Sequence, residues 1–355
     1  MKITLFNDTG SSPHAGCQAV SNAHAVMLGT AGHKVIHREF VLDYRSHWTG
    51  DPETSIQSVL DDEGLIQKIE AADAVIVNGE GTIHHGSGNH LLAILGAAQT
   101  LQKQTLLVNA VFQETEGFDS VLSRLTDFTL RDQRSYQHAK DRGFRCRLVW
   151  DSSIAAQFKG APLKDFSGKT IVTDWHGACS EDSGKTALTY LARQADTSFY
   201  LPLQNESAYL TWQRFPATLA TADVVISARH HGNYFACKAG VPFVCLPSNT
   251  HKVEGFIDLL DEDVPMVSSP SELEHAYDVV SGKVDMFKRI QEKVENQMPL
   301  SVFNRLGTGA DSTKTEELIR LETDVLAARA KMTKRHISPY ESADSVVKQA
   351  LKFSD

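Results

Sequence analysis

The chain has 355 residues, of which 41% are hydrophobic and 22% are charged. A single hydrophobic core stops growing near about 250 residues, so two domains are expected. Lysine and arginine total 35 against 44 acidic residues, which gives a net charge of −9. This balance argues against a nucleic-acid partner and against a generally basic binding face. Any positive potential must therefore be local.

The cysteines and the N-terminal segment indicate a compartment. The 5 cysteines are widely spaced and form no Cys-x-x-Cys pair, which predicts reduced thiols. Met1 leads directly into a strand-like segment, and no window approaches the ~18 apolar residues of a membrane span. The sequence therefore predicts a cytoplasmic protein.

Residues 1–156 alternate strand and helix patterns, which predicts a first Rossmann-like domain with a mostly parallel sheet. The predicted strands are 3–6, 34–40, 74–77, 105–111, 128–130 and 148–150. The predicted helices are 15–30, 61–72, 89–103 and 134–142. A polar stretch with Gly160, Pro162 and Gly168 then interrupts the alternation and indicates a linker.

The alternation resumes and predicts a second Rossmann-like domain over residues 169–300. Its predicted strands are 170–174, 198–201, 224–227 and 243–246, and its predicted helices are 182–195, 206–221 and 232–239. Residues 301–355 are charged and helix-prone. They predict a helical tail, with amphipathic helices at 312–331 and 343–352.

The most informative segment is Ser227-Ala228-Arg229-His230-His231-Gly232-Asn233, which begins where an apolar strand should end. In an open α/β sheet, ligands bind at this edge. A helix is expected to start in the same segment, so Arg229 and His231 would lie beside backbone amides and a positive dipole end. Lys252 offers a further positive charge. This combination predicts phosphate or carboxylate recognition coupled to proton transfer, whereas a helix start with structural histidines is the simpler interpretation.

Three other segments place polar or glycine residues at predicted strand ends. They are Asn7-Asp8 with Gly16 beyond it, the glycine loop Asn78-Gly79-Glu80-Gly81-Thr82, and Arg131-Asp132. The glycine loop does not predict dinucleotide binding, because His84 stands where the third fingerprint glycine would fall. Without a functional role, Arg131-Asp132 would be a surface ion pair worth under about 1 kcal/mol.

Histidines outside the Arg229 segment have two interpretations. His84, His85 and His90 are clustered, but no carboxylate or thiol stands at a metal-ligand spacing, so no metal site is predicted. His176 follows the predicted strand from Thr170 and is expected to contact a sugar, although a solvated loop would account for it equally well.

The Arg229 segment and the three other strand-end segments together span residues 3 to about 260. They resemble the polysaccharide pyruvyl transferase family. The family usually has Arg, any residue, His and Gly in that order, which places its Arg on Arg229 and its His on His231. Glu80 stands where the family commonly has a third glycine. The resemblance implies two Rossmann-like domains facing a central cleft, as in GT-B glycosyltransferases, with the glycine loop and acceptor side on the first domain and the donor site on the second.

The resemblance also implies an activity. The enzyme would move a pyruvyl group from phosphoenolpyruvate to a sugar of a surface polysaccharide or its precursor, forming a ketal. His231 is expected to protonate the donor methylene, while Arg229, Arg131 and Lys252 hold the phosphate and carboxylate. The other expected substrate-binding residues are Asn7, Gly79, Gly81, His84, His176, His230 and Asn233. No metal or cofactor is expected, because phosphoenolpyruvate acts as a co-substrate.

Two other functions stay open. A GT-B-type glycosyltransferase would rest the diphosphate of a nucleotide sugar on the same cations and helix start. A non-catalytic sugar-binding module is disfavoured by the cluster of titratable and cationic groups. The expected partners are a small-molecule donor and a glycan acceptor, with no nucleic acid. A cytoplasmic location is compatible with peripheral association with a membrane-bound polysaccharide assembly.

Overall fold

A computed structural model describes residues 1–41, 44–204, 211–296, 303–306 and 341–342 of the chain. These residues form two compact units, each built around its own sheet. The first unit contains Met1–Ser12, Val20–Ala156 and residues 303–306. The second contains Pro13–Ala19 and the described residues from Gln157 to 296, with 341–342. The tail helices predicted at 312–331 and 343–352 lie outside the described residues.

The first unit has a six-stranded parallel sheet in the order β2-β1-β3-β4-β5-β6. Its strands are β1 (Lys2–Asp8), β2 (Lys34–Phe40), β3 (Ala74–Asn78), β4 (Gln104–Ala110), β5 (Asp127–Leu130) and β6 (Arg147–Leu148). Along β3, Val75 and Val77 enter one hydrophobic core while Ala74 and Ile76 enter another, because successive side chains of a strand point to opposite faces. Both faces of the sheet are therefore covered, as parallel sheets require.

The helices of the first unit supply these two cores. They are α1 (Ala15–Thr30), of which the residues from Val20 onward belong to this unit, α2 (Pro52–Leu60), α3 (Glu63–Glu70), α4 (Asn89–Thr100), α5 (Asp119–Ser123) and α6 (Gln133–Asp141). Asp51, Asp62 and Asp132 begin three of them, because their carboxylates accept hydrogen bonds from backbone N–H groups of the first turn.

The second unit has a five-stranded sheet in the order β10-β9-β7-β8-β11, in which only β11 runs antiparallel. Its strands are β7 (Thr170–Val172), β8 (Ser198–Tyr200), β9 (Val224–Ser227), β10 (Phe243–Cys245) and β11 (Glu341–Ser342). Its helices are α7 (Lys185–Arg193), α8 (Phe215–Leu219), α9 (His230–Ala239), α10 (Lys252–Leu260), α11 (Pro270–Ser281) and α12 (Val284–Asn296). Among the described helices of both units, none combines the length and apolarity needed to cross a membrane.

Both sheets have a point where the strand order reverses, and this point positions the candidate site. The first strand of each unit lies between the second and the third, so β1 neighbours β3 and β7 neighbours β9. Doubly wound sheets bind ligands at the carboxyl ends of the two strands that meet there. In the first unit these ends carry Asn7 and Asn78. In the second unit Asp174 follows β7, and Arg229 follows β9.

Several elements match the sequence predictions, and others differ for local reasons. The predicted helix 15–30 and strand 224–227 are confirmed as α1 and β9. Helix α2 was not predicted, although it begins with the Asp51 cap and Pro52. The predicted helix 182–195 is divided into a π-helical turn, Ser180–Gly184, and α7.

The stretch predicted as a linker is packed structure. The side chains of Leu163 and Phe166 are buried, and the backbone N–H of Leu163 donates to Thr218 Oγ1 at 3.1 Å. Residues 157–168 therefore belong to the second unit. Their glycines and prolines mimic a linker in sequence because the stretch contains only a short 3₁₀ turn, Lys164–Phe166.

Candidate active site

Arg229 stands at the carboxyl end of β9 and is held there by Asp174. Its Nε donates to Asp174 Oδ2 at 2.8 Å, and its Nη2 lies 2.6 Å from the same oxygen. The other carboxylate oxygen of Asp174 accepts from the backbone N–H of Leu203 at 2.8 Å. Asp174 is 8% exposed and Arg229 is 19% exposed, so the pair is oriented but still reaches solvent. Asp174 thus orients Arg229 at the end of β9.

The first turn of α9 starts immediately after Arg229, which is its N-cap residue. His230 and His231 are both buried, but they lie in different surroundings. The Nδ1 of His230 lies 3.2 Å from the backbone oxygen of Lys252, and its ring contacts Tyr234 and Phe256. These contacts fix His230 between α9 and α10.

His231 packs against the beginning of α1. Its ring centroid lies 5.8 Å from that of His14, with the rings edge to face. Gly16 approaches so closely that a Cβ placed there would lie 2.2 Å from His231 Cγ. The backbone N–H of Ala15 donates to Leu203 O at 2.8 Å, which ties this segment to the second unit. The contact between Gly16 and His231 was not predictable from sequence, because residues 215 positions apart give no local signal.

Lys252 is the first residue of α10, and its Nζ donates to the side-chain oxygen of Asn249. His176 lies in the loop after β7, where its Nδ1 accepts from the backbone N–H of Ala178 at 3.2 Å. Burial lowers the pKa of His176, and the positive charges of Arg229 and Lys252 lower it further. Arg229, Lys252 and His176, predicted separately from sequence, therefore lie in one electrostatic neighbourhood of the second unit. Positive charges that disfavour the protonation of a neighbouring histidine would stabilise an anion bound in the same place.

In the first unit, the glycine loop closes over the carboxyl ends of β1 and β3. Asn7 adopts a left-handed φ of 56°, and its Nδ2 donates to Asn78 O at 2.6 Å and to Thr82 Oγ1 at 3.2 Å. Gly81 also has a left-handed φ, +58°. A Cβ on Gly79 would lie 2.5 Å from the Cβ of Ala110. The two loop glycines are therefore required for different reasons, backbone conformation at Gly81 and close packing at Gly79.

Glu80 of the glycine loop is buried and accepts a 2.5 Å hydrogen bond from Thr9 Oγ1. Beside it, Asp8 forms a buried ion pair with Arg38, with a separation of 2.6 Å between Asp8 Oδ2 and Arg38 Nη2. These groups were not predicted as site residues. The position of Asp8 at the end of β1 was visible in sequence, but the pairing with Arg38 depends on the sheet.

Arg131 is buried and forms an ion pair with Asp151, both at most 2% exposed. The interpretation of Arg131-Asp132 as a surface ion pair is therefore wrong, since Arg131 is buried inside the first unit and pairs with Asp151 there. Asp132 instead caps α6, accepting from Ser135 N at 2.8 Å and Ser135 Oγ at 2.6 Å. Burial raises the pKa of Asp132 to about 6. A direct contact between Arg131 and the donor stays a prediction.

The histidines after the glycine loop are engaged with one another. His84 Nε2 lies 3.0 Å from Gly81 O, and its Nδ1 lies 2.9 Å from His85 Nδ1. His85 Nε2 lies 3.3 Å from a carboxylate oxygen of Glu114. His90 is buried in α4, and burial lowers its pKa to about 4. Within the part of the chain that the structure describes, no three His, Cys, Asp or Glu side chains are grouped as metal ligands.

The model of the polysaccharide pyruvyl transferase family matches residues 31–250. Comparison with curated proteins gives no match. Among solved structures, a putative UDP-N-acetylglucosamine 2-epimerase from Listeria monocytogenes is similar, with a TM-score of 0.53 and 11% identity over 95% of this chain and 99% of that chain. The UDP-GlcNAc 2-epimerase from Methanocaldococcus jannaschii, in complex with UDP-GlcNAc and UDP, has a TM-score of 0.50 and 12% identity over 91% of this chain and 100% of that chain.

At these identities the structural comparisons concern the fold alone. They agree with the predicted class, two Rossmann-like α/β units with mostly parallel sheets of the GT-B-like kind. The family match is independent of them. It covers residues 31–250, which include the glycine loop, Arg131 and the Arg229 segment. The chain belongs to the polysaccharide pyruvyl transferase family.

Proposed function

We propose that the enzyme transfers the pyruvyl group of phosphoenolpyruvate to two hydroxyls of a sugar in a surface polysaccharide or its precursor, forming a ketal. The observation that carries this proposal is the cluster at the strand-order reversal of the second unit. Arg229, oriented by Asp174, occupies the N-cap position of the helix that bears His231, and Lys252 begins the helix beside it. Two cations and two helix N-termini suit a small donor with two anionic groups.

The chemistry assigns a role to each group. Protonation of the donor methylene generates a cationic centre at C2, and His231 is the proposed acid. A sugar hydroxyl attacks C2, phosphate leaves, and the second hydroxyl closes the ketal. One hydroxyl proton replaces the proton given to the methyl group, and the other leaves with phosphate. Arg229 and Lys252 hold the anionic groups through the charged intermediate.

His176 supports this arrangement as an uncharged hydrogen-bond donor. Its Nδ1 accepts a hydrogen bond from Ala178 N, so in the neutral ring the proton is on Nε2. The Nε2–H group would then donate a hydrogen bond to an oxygen of phosphoenolpyruvate or of the sugar. A bound anion would offset the positive charges of Arg229 and Lys252, so donor binding should raise the pKa of His176.

Ligand-induced stabilisation tests the proposal against the nucleotide-sugar alternative. Phosphoenolpyruvate should raise the melting temperature of the purified protein, and a nucleoside diphosphate at the same concentration should not. With an acceptor glycan in deuterated water, the product should carry deuterium in its ketal methyl group, because the proton comes from a group that exchanges with solvent. Stabilisation by the nucleoside diphosphate alone would overturn the proposal in favour of a glycosyltransferase.

A further inference from the structure

Three residues in or just before the first turns of α9 and α10 each have a buried side-chain atom without a hydrogen-bond partner among the described residues. Asn233, in the first turn of α9, is 0% exposed, and neither its Oδ1 nor its Nδ2 has a partner there. Thr250 is 6% exposed and has none for Oγ1. The Oε2 of Glu254, in the first turn of α10, is also buried and has no hydrogen-bond partner among the described residues. Buried polar atoms are usually paired, so unpaired atoms on adjoining turns call for a ligand.

These turns are in direct contact. His230 Nδ1 lies 3.2 Å from Lys252 O, and the rings of Tyr234 and Phe256 are 4.5 Å apart. Several charged groups act on Cys179, which lies in the segment before α7. Burial is the main cause that raises the pKa of Cys179, and among the smaller effects Lys252 and Arg229 lower it while Asp182 and Glu254 raise it. Lys252, Arg229 and Glu254 therefore all lie within electrostatic range of one residue, together with a second carboxylate, Asp182.

The groups differ in what they offer a ligand. The amide of Asn233, the hydroxyl of Thr250 and the charged groups of Lys252 and Arg229 can donate hydrogen bonds, whereas the carboxylate of Glu254 accepts them. A ligand that satisfies both kinds must carry several acceptor oxygens and one O–H group. Phosphate at neutral pH meets this requirement, because it keeps at least one P–OH. Sulfate does not, because it is fully deprotonated.

We propose that Asn233, Thr250 and Glu254 form a phosphate subsite in which Glu254 accepts a hydrogen bond from the P–OH group. The proposal rests on the proposed function, in which phosphate is the leaving group. Glu254 sets the specificity of the subsite, because a carboxylate that faces an oxygen without a proton is repelled by it. The subsite therefore retains phosphate once it carries a proton and rejects sulfate.

The test compares the binding of inorganic phosphate and sulfate by calorimetry at pH 7 and equal ionic strength. The wild type should bind phosphate at least about tenfold more tightly, since a buried acceptor left unpaired weakens binding strongly. Glu254→Gln should reduce this ratio to about twofold, because an amide can donate to sulfate. Glu292→Gln, the same change at an exposed position of α12, is the matched control and should keep the wild-type ratio.

A second variant separates binding from folding. Thr250→Val removes an unpaired buried hydroxyl, so without anion the variant should be at least as stable as the wild type. With phosphate present, its gain in melting temperature should be smaller than that of the wild type. A Thr250→Val protein that gains as much from phosphate as the wild type would overturn the assignment of Thr250.

The outcomes distinguish this inference from the proposed function. Equal affinity for phosphate and sulfate in the wild type, or an unchanged ratio in Glu254→Gln, would overturn the role of Glu254 while phosphoenolpyruvate binding persists. Failure of both phosphate and phosphoenolpyruvate to bind would overturn the anion site itself, and with it both proposals.

Discussion

Arg229 and His231 stand two residues apart, yet their surroundings differ. Arg229 is oriented by a carboxylate at the end of a neighbouring strand, whereas His231 is confined by the backbone at Gly16. A side chain that holds an anion should influence donor affinity, and a side chain that transfers a proton should influence turnover. The two roles can therefore be measured separately.

His231→Gln should leave the KM for phosphoenolpyruvate within a few-fold and lower kcat by ~10² or more, because general acid catalysis is lost. Arg229→Lys keeps the charge but loses the planar fork, so it should raise KM with a smaller effect on kcat. Steady-state kinetics of both variants would check this.

His230→Gln is the control for that comparison. His230 is buried between α9 and α10, so its replacement should lower stability more than turnover. If His230→Gln loses turnover while His231→Gln keeps it, the proton donor is His230.

At the scale of elements, helix starts converge on the second-unit site. Helices α9 and α10 begin there, and the first turn of α1 packs against His231. His14 stabilises the α1 start, since its Nδ1 accepts from the N–H groups of Gly16 at 3.2 Å and Cys17 at 3.4 Å. The beginning of α1 is thereby part of the wall around the proposed acid.

Gly16→Ala tests this contact. Alanine favours a helix over glycine by about 1 kcal/mol, but its Cβ would lie 2.2 to 2.4 Å from three atoms of His231. We expect kcat to fall at least about tenfold as the imidazole is displaced, with reduced thermal stability.

The matched control places Gly16→Ala in a His231→Ala background. The collision with the ring is then absent, so the added methyl group should no longer reduce stability. If Gly16→Ala costs the same stability in both backgrounds, its effect does not arise from His231.

At the scale of the whole molecule, both units repeat one strand order and place polar residues at the reversal point. The first unit gathers Asp8, Glu80 and Asp151 there, balanced by Arg38 and Arg131. The second exposes Arg229 and Lys252 in part. Buried ion pairs fix geometry more than they stabilise, because desolvation offsets their attraction. The first-unit cluster is thus a buried polar framework, and the second-unit cluster is the proposed anion site.

The buried framework makes stability depend on pH. Burial lowers the pKa of His24 from 6.5 to about 4, and its Nε2 lies 3.0 Å from Ser152 Oγ. Between these pH values the unfolded chain binds a proton that the folded protein does not bind. Keeping His24 neutral therefore costs no free energy of unfolding above pH 6.5. As the pH falls below that value, the free energy of unfolding decreases, by about 2 kcal/mol at pH 5.

Denaturant titrations of the wild type and His24→Gln at pH 7 and pH 5 would check this. The variant cannot gain that proton, so its stability should fall by about 2 kcal/mol less between the two pH values. Parallel losses in both proteins would show that His24 is not kept neutral by the fold.

The sequence by itself determined the α/β class, the two Rossmann-like regions and the family. Alternating apolar strands and amphipathic helices are local patterns, and the Arg229 segment is a contiguous motif. The grouping of Arg229, Lys252 and His176 was also predictable in outline, because the carboxyl ends of parallel strands share one edge. The roles of the substrate-binding residues stay predictions.

Only the tertiary structure decided which partners these residues have. Asp174 holds Arg229 across 55 positions of sequence, Asp151 pairs with Arg131 inside the first unit, and Gly16 packs on His231. It also showed that residues 157–168 are packed and that Asn233, Thr250 and Glu254 each have a buried side-chain atom without a partner among the described residues. Such contacts depend on which strands are neighbours and how helices cross them. Chain folding brings those residues together, and sequence spacing does not record it.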